Sequence, residues 1–423
     1  MNKTLRVGAI AFFGFLLCFG PIEYRGFAQS VAEDQLEIGL PDFPRRIQRN
    51  LPPLKPEQEI KYGILKLHPA FKTEVEYDDN IKLKPNDKTE DVIFTQTPAL
   101  GIETKLGDHR LELGYGMEIN SFAKNQEENS INHMANALVE LNFNDFQLTA
   151  QDLFEKTTSR KFSEVSQRDR LLLNTVEVMG RYDRPMWALE TGWRHNTLRH
   201  LINSLDTNDL GEDVIAVLGG YKILPKTLLL VENDIGMIRY RRGGKPDQNY
   251  WQIFGGIRGE VTEKFTATAK LGFQRRRVDE ISGQGTSSNF YGIVSNVDFL
   301  YRLNDFQSLR FTYLRTVKPS TFTNNQWLRQ DRIFLSYNHR FLRKWVLTPE
   351  VGWQLNAYRD QATVAGITKM RSDKFWEAAI ELRYEIQEWL STGLAYRFRS
   401  RNSNMDPLDF NNNRVSLDVT LAY

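Results

Sequence analysis

Asp78-Asp79-Asn80 sets three oxygen-bearing side chains in a row, a donor type suited to a hard cation such as Ca²⁺. The rest of an EF-type loop is missing around them, so a solvated loop tip is the competing reading. The chain has six histidines, and His195 and His200 stand five positions apart, on opposite faces of a strand. No zinc spacing, nucleophile-elbow glycine pattern or phosphate-binding loop occurs. These residue types imply no enzyme, no resident metal and no cofactor.

Basic residues are the next candidates. Arg239, Arg241 and Arg242 form one cluster, Arg275, Arg276 and Arg277 a second, and Arg397, Arg399 and Arg401 a third. Arginine binds phosphate and carboxylate oxygens bidentately, so such clusters suit an anionic polysaccharide or lipopolysaccharide phosphates; ordinary loop solubility competes with both. Alternate spacing puts Arg397, Arg399 and Arg401 on one side of a strand, whereas Arg275-Arg276-Arg277 cannot share a side. The balance of 55 basic and 53 acidic residues argues against nucleic acid as partner.

The elements that position these groups follow from a rhythm that starts near Tyr62. Leu65, Leu67, Phe71, Val75 and Tyr77 fall on one parity; Lys66, His68, Lys72, Glu74 and Glu76 fall on the other. This period of two makes a strand with one apolar and one charged face, and a helical period would scatter the charges. The pattern returns at Leu111–Ile119, Ala135–Phe143, Phe265–Phe273, Trp345–Leu355, Trp376–Tyr384 and Val415–Tyr423. Short breaks, such as Gly107-Asp108, Asn144-Asp145, Leu224-Pro225 and Gln387-Glu388, alternate with longer polar ones at 78–91, 123–129, 159–169, 200–211, 241–248, 278–288, 318–326, 360–371 and 402–410. Eight short and nine long connections predict an all-β, antiparallel transmembrane barrel of about eighteen strands, with short periplasmic turns and longer outer loops. A sheet in lipid must close, because no backbone group can be left open there. A soluble sandwich or propeller is the alternative.

On this plan the polar parity faces the lumen. Arg110, Glu112, Glu118, Arg194, Arg258, Lys270, Arg310, Glu350, Glu381, Arg383, Arg397 and Arg399 are the candidate channel-lining residues. Opposite charges there either form cross-strand ladders that stiffen the wall or set a selecting field across a pore. Trp187, Trp193, Trp251, Trp345, Trp353, Trp376 and Trp389 suit aromatic belts at the membrane interfaces. Two places break the pattern: Leu228-Leu229-Leu230-Val231 is apolar on both parities, and Asp152 falls on the lipid parity.

Ahead of the barrel, Lys3 and Arg6 precede a short apolar run, Val7 to Phe19, followed by small or polar residues around Ala28. That order predicts a signal peptide over 1–30, since the run is too short to span a bilayer. It contains the single cysteine, Cys18, so no disulfide is expected in the exported chain. A proline-rich periplasmic leader is expected over 31–61 and the barrel over 62–423.

The first predicted hairpin reads LHPAFKTEVEYDDNI, then DVIFTQTPALGIETKLGDHRLELGY. It resembles the start of the β-barrel porins associated with exopolysaccharide gene clusters in Gram-negative bacteria. The matching features are Tyr77-Asp78-Asp79-Asn80, Asp91 opening the second strand, Pro98 near its middle, and a C-terminal aromatic, Tyr423. The resemblance implies an outer-membrane barrel that passes a secreted polysaccharide with help from periplasmic export proteins. A general or small-solute porin, a plugged structural or adhesive barrel, and an outer-membrane hydrolase are the alternatives in that order. Outer-membrane lipid and lipopolysaccharide are the expected surroundings.

Overall fold

The computed structural model describes residues 60–160, 164, 168–242, 245–279, 289–322, 325–364 and 366–422. The expected signal peptide, Cys18, Tyr423 and the leader up to residue 59 lie outside the described residues.

A short strand β1 (Ile60–Tyr62) turns at Gly63, whose φ is +63°, and pairs with the base of the next strand. Eighteen strands follow: β2 (Leu65–Asp78), β3 (Asp91–Leu106), β4 (His109–Phe122), β5 (Ser130–Asn142), β6 (Phe146–Arg160) and β7 (Arg168–Asp183). Next come β8 (Trp187–His200), β9 (Leu210–Leu224), β10 (Thr227–Tyr240), β11 (Gln248–Thr262), β12 (Phe265–Val278) and β13 (Phe290–Asn304). The last six are β14 (Gln307–Pro319), β15 (Trp327–Phe341), β16 (Trp345–Val364), β17 (Ile367–Gln387), β18 (Leu390–Ser403) and β19 (Phe410–Ala422).

Each strand pairs antiparallel with the next, and β19 pairs with β2 from Arg414↔Asp78 to Ala422↔Ala70, closing the cylinder. The architecture is therefore an eighteen-stranded antiparallel barrel with β1 as a small appendage. Short turns gather at one end, together with the starts of β1 and β2 and the end of β19. The longer connections lie at the other end.

The alternation assigns every strand's faces. In β10 the even residues Leu228, Leu230, Glu232, Asp234, Ile238 and Tyr240 are buried, whereas Leu229, Val231 and Ile235 are exposed outward. The double apolar run thus resolves into two surfaces, with Leu230 packing inside against Met179, Ala216 and Leu218. Asp152 faces outward as its parity requires, and Asn174 on β7 donates to its carboxylate, so the pair satisfies itself on the apolar face.

One expectation is corrected. The segment 360–371, expected as a loop, is the tip of a long hairpin: Gln361↔Met370 through Val364↔Ile367 continue the β16–β17 ladder, and Gly366 (φ +80°) lies in the turn. Thr363, Val364, Ile367 and Thr368 are β-branched, and the two threonine hydroxyls lie 2.7 Å apart. β-propensity outweighs polarity there. Pro98 interrupts the β3–β4 ladder between Gln96↔Ile119 and Ala99↔Gly116, as a residue without an N–H must.

Candidate channel wall

All twelve candidate lining residues sit on the inward parity of their strands. Arg110 binds Glu112 (2.8 Å) and Glu140 (2.7 Å) across β4 and β5. Glu118 accepts from Asn120 (2.9 Å) and Asn132 (3.0 Å). Arg258 reaches Glu190 (3.1 Å), three strands away, and Arg310 grips Asp298 (3.1 Å). The Lys270 ammonium donates to both oxygens of Glu232 at 2.9 Å, with both side chains almost wholly buried. Arg383 ties Glu381 (2.8 Å) to Asp418 (3.1 Å), Arg397 meets Glu76 (3.4 Å) and Arg399 meets Glu377 (3.2 Å). Arg194 and Glu350 are buried in the same wall.

This is a ladder of charges matched across strands, the first of the two arrangements that alternation allows. Burying one partner alone would leave an unmatched ion in a low-dielectric site, so each pair fixes the rotamers of its neighbours. Arg401 shares the inward side with Arg397 and Arg399, and its guanidinium lies over the Phe410 ring at 5.0 Å. In the second cluster only Arg276 points inward, donating to Gln248 (2.8 Å) and to the Val317 carbonyl (2.6 Å) over the Tyr250 ring (4.9 Å). Arg275 and Arg277 are exposed on the outer face. Gly236 makes room for Tyr250: a Cβ there would fall 2.0 Å from the ring, which lies across β10 to donate to Glu212 at 2.9 Å.

Near the long-loop end the inner wall turns apolar and aromatic, and the connections fold against it. Leu171, Leu173, Leu198, Leu210, Val214, Ile238, Tyr240 and Tyr250 form one inward cluster. Leu83, from the connection after β2, packs between Phe375 and Phe410. The connection after β14 is held from several sides. Lys245 donates to the carbonyls of Ser320, Phe322 (3.0 Å) and Asn325 (3.1 Å). The Glu164 carboxylate accepts from the Ser320 hydroxyl (2.7 Å) and the amides of Thr321 (2.7 Å) and Phe322 (2.9 Å). The Arg371 guanidinium binds Asp373, donates to the Glu164 carbonyl (2.8 Å), and lies 4.9 Å from the Phe322 ring and 4.6 Å from that of Tyr358. The sequence pattern gives no sign of this constriction. Arg371 and Asp373 belong to the segment expected as a loop or its edge, and Lys245 and Glu164 lie in connections with no periodicity.

The triplet Asp78-Asp79-Asn80 has structural work. Asp78 accepts from the Asn80 amide (2.8 Å) and the Asn412 side chain (2.7 Å), and Asp79 from the Asn413 amide and side chain (2.7 Å each). The Asn80 side chain donates to the carbonyls of Lys84 (2.8 Å) and Asn411 (3.0 Å). The triplet therefore clasps β2 to β19, the pair that closes the barrel. Asp91 accepts from Asn125 and from the Lys124 amide, anchoring the next connection. His195 meets Asp213 (2.9 Å) on the outer face, and inward His200 lies between Asp169 and Asp209. The two histidines are on opposite faces.

At the short-turn end the outward face carries rings: Trp345 and Tyr384 lie 4.6 Å apart, Tyr182 and Trp187 5.5 Å. Trp187, Trp345 and Trp389 belong to this end. Trp327, which alternation alone does not single out, is buried against Phe290, with ring centroids 5.1 Å apart.

Residues 215–423 match the family described as "Putative beta-barrel porin 2". No curated relative matches the sequence. Among solved structures the chain is similar to Pseudomonas aeruginosa OccK2 (OpdF), at 13% identity and a TM-score of 0.47, covering 86% of this chain and 100% of that one. It is also similar to OccK9 (OpdG) of the same organism, at 12% identity and TM-score 0.45, covering 85% and 98%. A third is the siderophore receptor PirA, also from Pseudomonas aeruginosa, at 10% identity and TM-score 0.41, covering 84% and 80%. The match over residues 215–423, together with the closed barrel, makes this protein a β-barrel of the outer membrane; in barrels of that kind the short turns lie on the periplasmic side.

Proposed function

We propose that this barrel passes a secreted polysaccharide through the outer membrane, receives it from periplasmic export proteins, and catalyses no reaction. The observation that carries the reading is the paired inner wall. Its donors and acceptors alternate along β16 to β19 and β2, where Arg383, Arg397 and Arg399 each face a carboxylate. A hydrated sugar chain exchanging water for such groups meets many weak partners, and a matched wall offers no single deep trap for it. An anionic chain would meet the arginine side of each pair along β18. Eighteen strands make a cylinder of the size that leaves an aqueous lumen.

A small-solute porin is the second reading, favoured by the constriction at the outer end. Lys245 and Glu164 hold the Ser320–Phe322 segment inside the rim, which narrows the route for a bulky chain. Single-channel conductance of the refolded protein in a planar bilayer, with and without residues 31–61, tests both. Steady openings blocked by an added anionic polysaccharide support export. Conductance that saturates with a small solute, and is indifferent to the polymer, supports the second reading. Silence from a folded barrel overturns both in favour of a structural role.

A further inference from the structure

The outward face of the barrel has two unlike rims. The periplasmic rim carries the rings described above. At the outer rim the outward parity of β7 to β16 carries Arg170, Arg199, Arg239, Arg275, Arg277 and Arg359, all exposed. Each stands ten to fourteen residues beyond the periplasmic end of its strand, Arg275 nearest, counted from Phe265, and Arg359 farthest, counted from Trp345. A membrane-crossing strand needs about 9–11 residues. These guanidinium groups therefore sit where lipid tails give way to headgroups, above apolar residues such as Ile235, Met237, Leu271 and Phe273 on the same face.

The belt covers only part of the circumference. From β18 through β19 to β5 the outward parity at the same level carries Ser400, Asn402, Asn411, Asn413 and Ser121, with no cation among the described residues. Two lysines of the nearby connections are matched within the protein: Lys124 binds Glu90 (2.8 Å) and Lys88 binds Asp79 (3.4 Å). On the arginine side, Arg315 and Arg329 share Asp331, and Arg239 lies near Asp247 (3.6 Å). Arg199, Arg277 and Arg359 have no side-chain ion pair or hydrogen bond among the described residues. The inner wall matches its charges, whereas this stretch of the outer rim turns unmatched guanidinium groups toward the headgroup layer.

We propose that the arginine arc binds the phosphate groups of a phosphorylated glycolipid in the outer leaflet, while the β18 to β5 arc does not. The chemistry is a planar guanidinium donating two hydrogen bonds to one phosphate, in a layer where the ligand is already concentrated and oriented. A lipid spanning β11 and β12 would present one phosphate to Arg275, beside Trp251, and a second to Arg277, beside Asn249.

The test uses the full exported chain, folded in phosphatidylcholine nanodiscs doped with bis-phosphorylated lipid A, or in matched discs with its dephosphorylated form. Lipid A retained after transfer to mild detergent is counted by native mass spectrometry. The wild type should hold the phosphorylated form preferentially. The triple variant Arg199→Gln/Arg275→Gln/Arg277→Gln should lose retention at about fivefold per arginine removed. Lys124→Gln, in the other arc, should retain lipid as the wild type does. Heat-modifiable migration on gels shows which variants are folded barrels. If the triple variant does not fold, the wild type's preference between the two lipid A forms decides alone. Equal retention of both forms, or an unchanged folded triple variant, overturns the proposal. So does displacement of the lipid by millimolar inorganic phosphate, which would mark a generic ion site.

Discussion

Neighbouring residues of β12 lead opposite lives. Lys270 points inward, almost wholly buried, with Glu232 closed around its ammonium. Leu271, the next residue, points outward and is 64% exposed to what is lipid in the membrane. Farther along the same outer face Arg275 and Arg277 carry charge again. The strand obeys one rule throughout: a charge is placed where a partner exists. Inside, the partner is another strand; at the outer rim, on our proposal, it is a lipid headgroup; between the rims there is none, and the outer face is almost entirely apolar. The ionisable groups on that face bring their own partners, Asp152 with Asn174 and His195 with Asp213.

The comparison breaks most severely from the inside. Lys270→Ala leaves Glu232 buried without its cation, which costs about 3–5 kcal/mol. Urea-driven unfolding from phosphatidylcholine vesicles should show a loss of that size, and Lys270→Ala/Glu232→Ala should recover much of it. An unchanged midpoint for the single variant would mean that water, not Glu232, solvates this lysine.

From the outside, Leu271→Arg puts a charge near the middle of the lipid-facing band. The expected cost in the same assay is about 2–4 kcal/mol, against little change for Arg275→Leu at the rim. Equal costs at the two positions would place the hydrocarbon boundary elsewhere than the strand positions indicate.

The seam gives a smaller effect. Asp79→Ala removes the acceptor of the Asn413 amide and side chain, and a loss of about 1–3 kcal/mol is expected. Faster proteolysis of the first connection should accompany it. If Asp79→Ala is as stable as the wild type, the Asp79–Asn413 contacts add nothing to the seam between β2 and β19.

The smallest effect concerns Glu90, in the first connection and fully exposed. Hydrogen bonds from Lys124 and Tyr77 hold its carboxyl below the ordinary value. A depressed carboxylate adds stability that is fully present above its unfolded pKa and is lost as pH falls through the lower, folded one. Glu90→Gln should therefore narrow the stability gap to wild type as the medium is acidified through that window. A carbon-detected titration of Glu90 should show a midpoint below that of a free glutamate; an unshifted midpoint would mean the pair with Lys124 does not persist in solution.

Much of this protein is legible in the amino-acid order alone. A period of two over segments of thirteen or more residues can only be a strand with unlike faces, so the inward side of Arg110, Lys270, Arg383 and Arg397 follows from counting. The alternation of short and long breaks likewise carries the strand number. The segment 360–371 is a hairpin tip and not a loop because its β-branched residues continue the ladder, and an extended tip beyond the membrane can be polar on both faces.

What the chain determined by itself is the pattern of faces, because parity is local: each side chain's direction depends only on its neighbours along the strand. Which charges meet depended on tertiary structure, because pairing is set by register between strands far apart in sequence. Glu76 and Arg397 are brought together only when β19 closes on β2. The same closure turns Asp78-Asp79-Asn80 from a possible cation site into a clasp, and it brings Lys245, Glu164 and Arg371 around one connection. Closing a cylinder juxtaposes residues whose meeting no local pattern encodes.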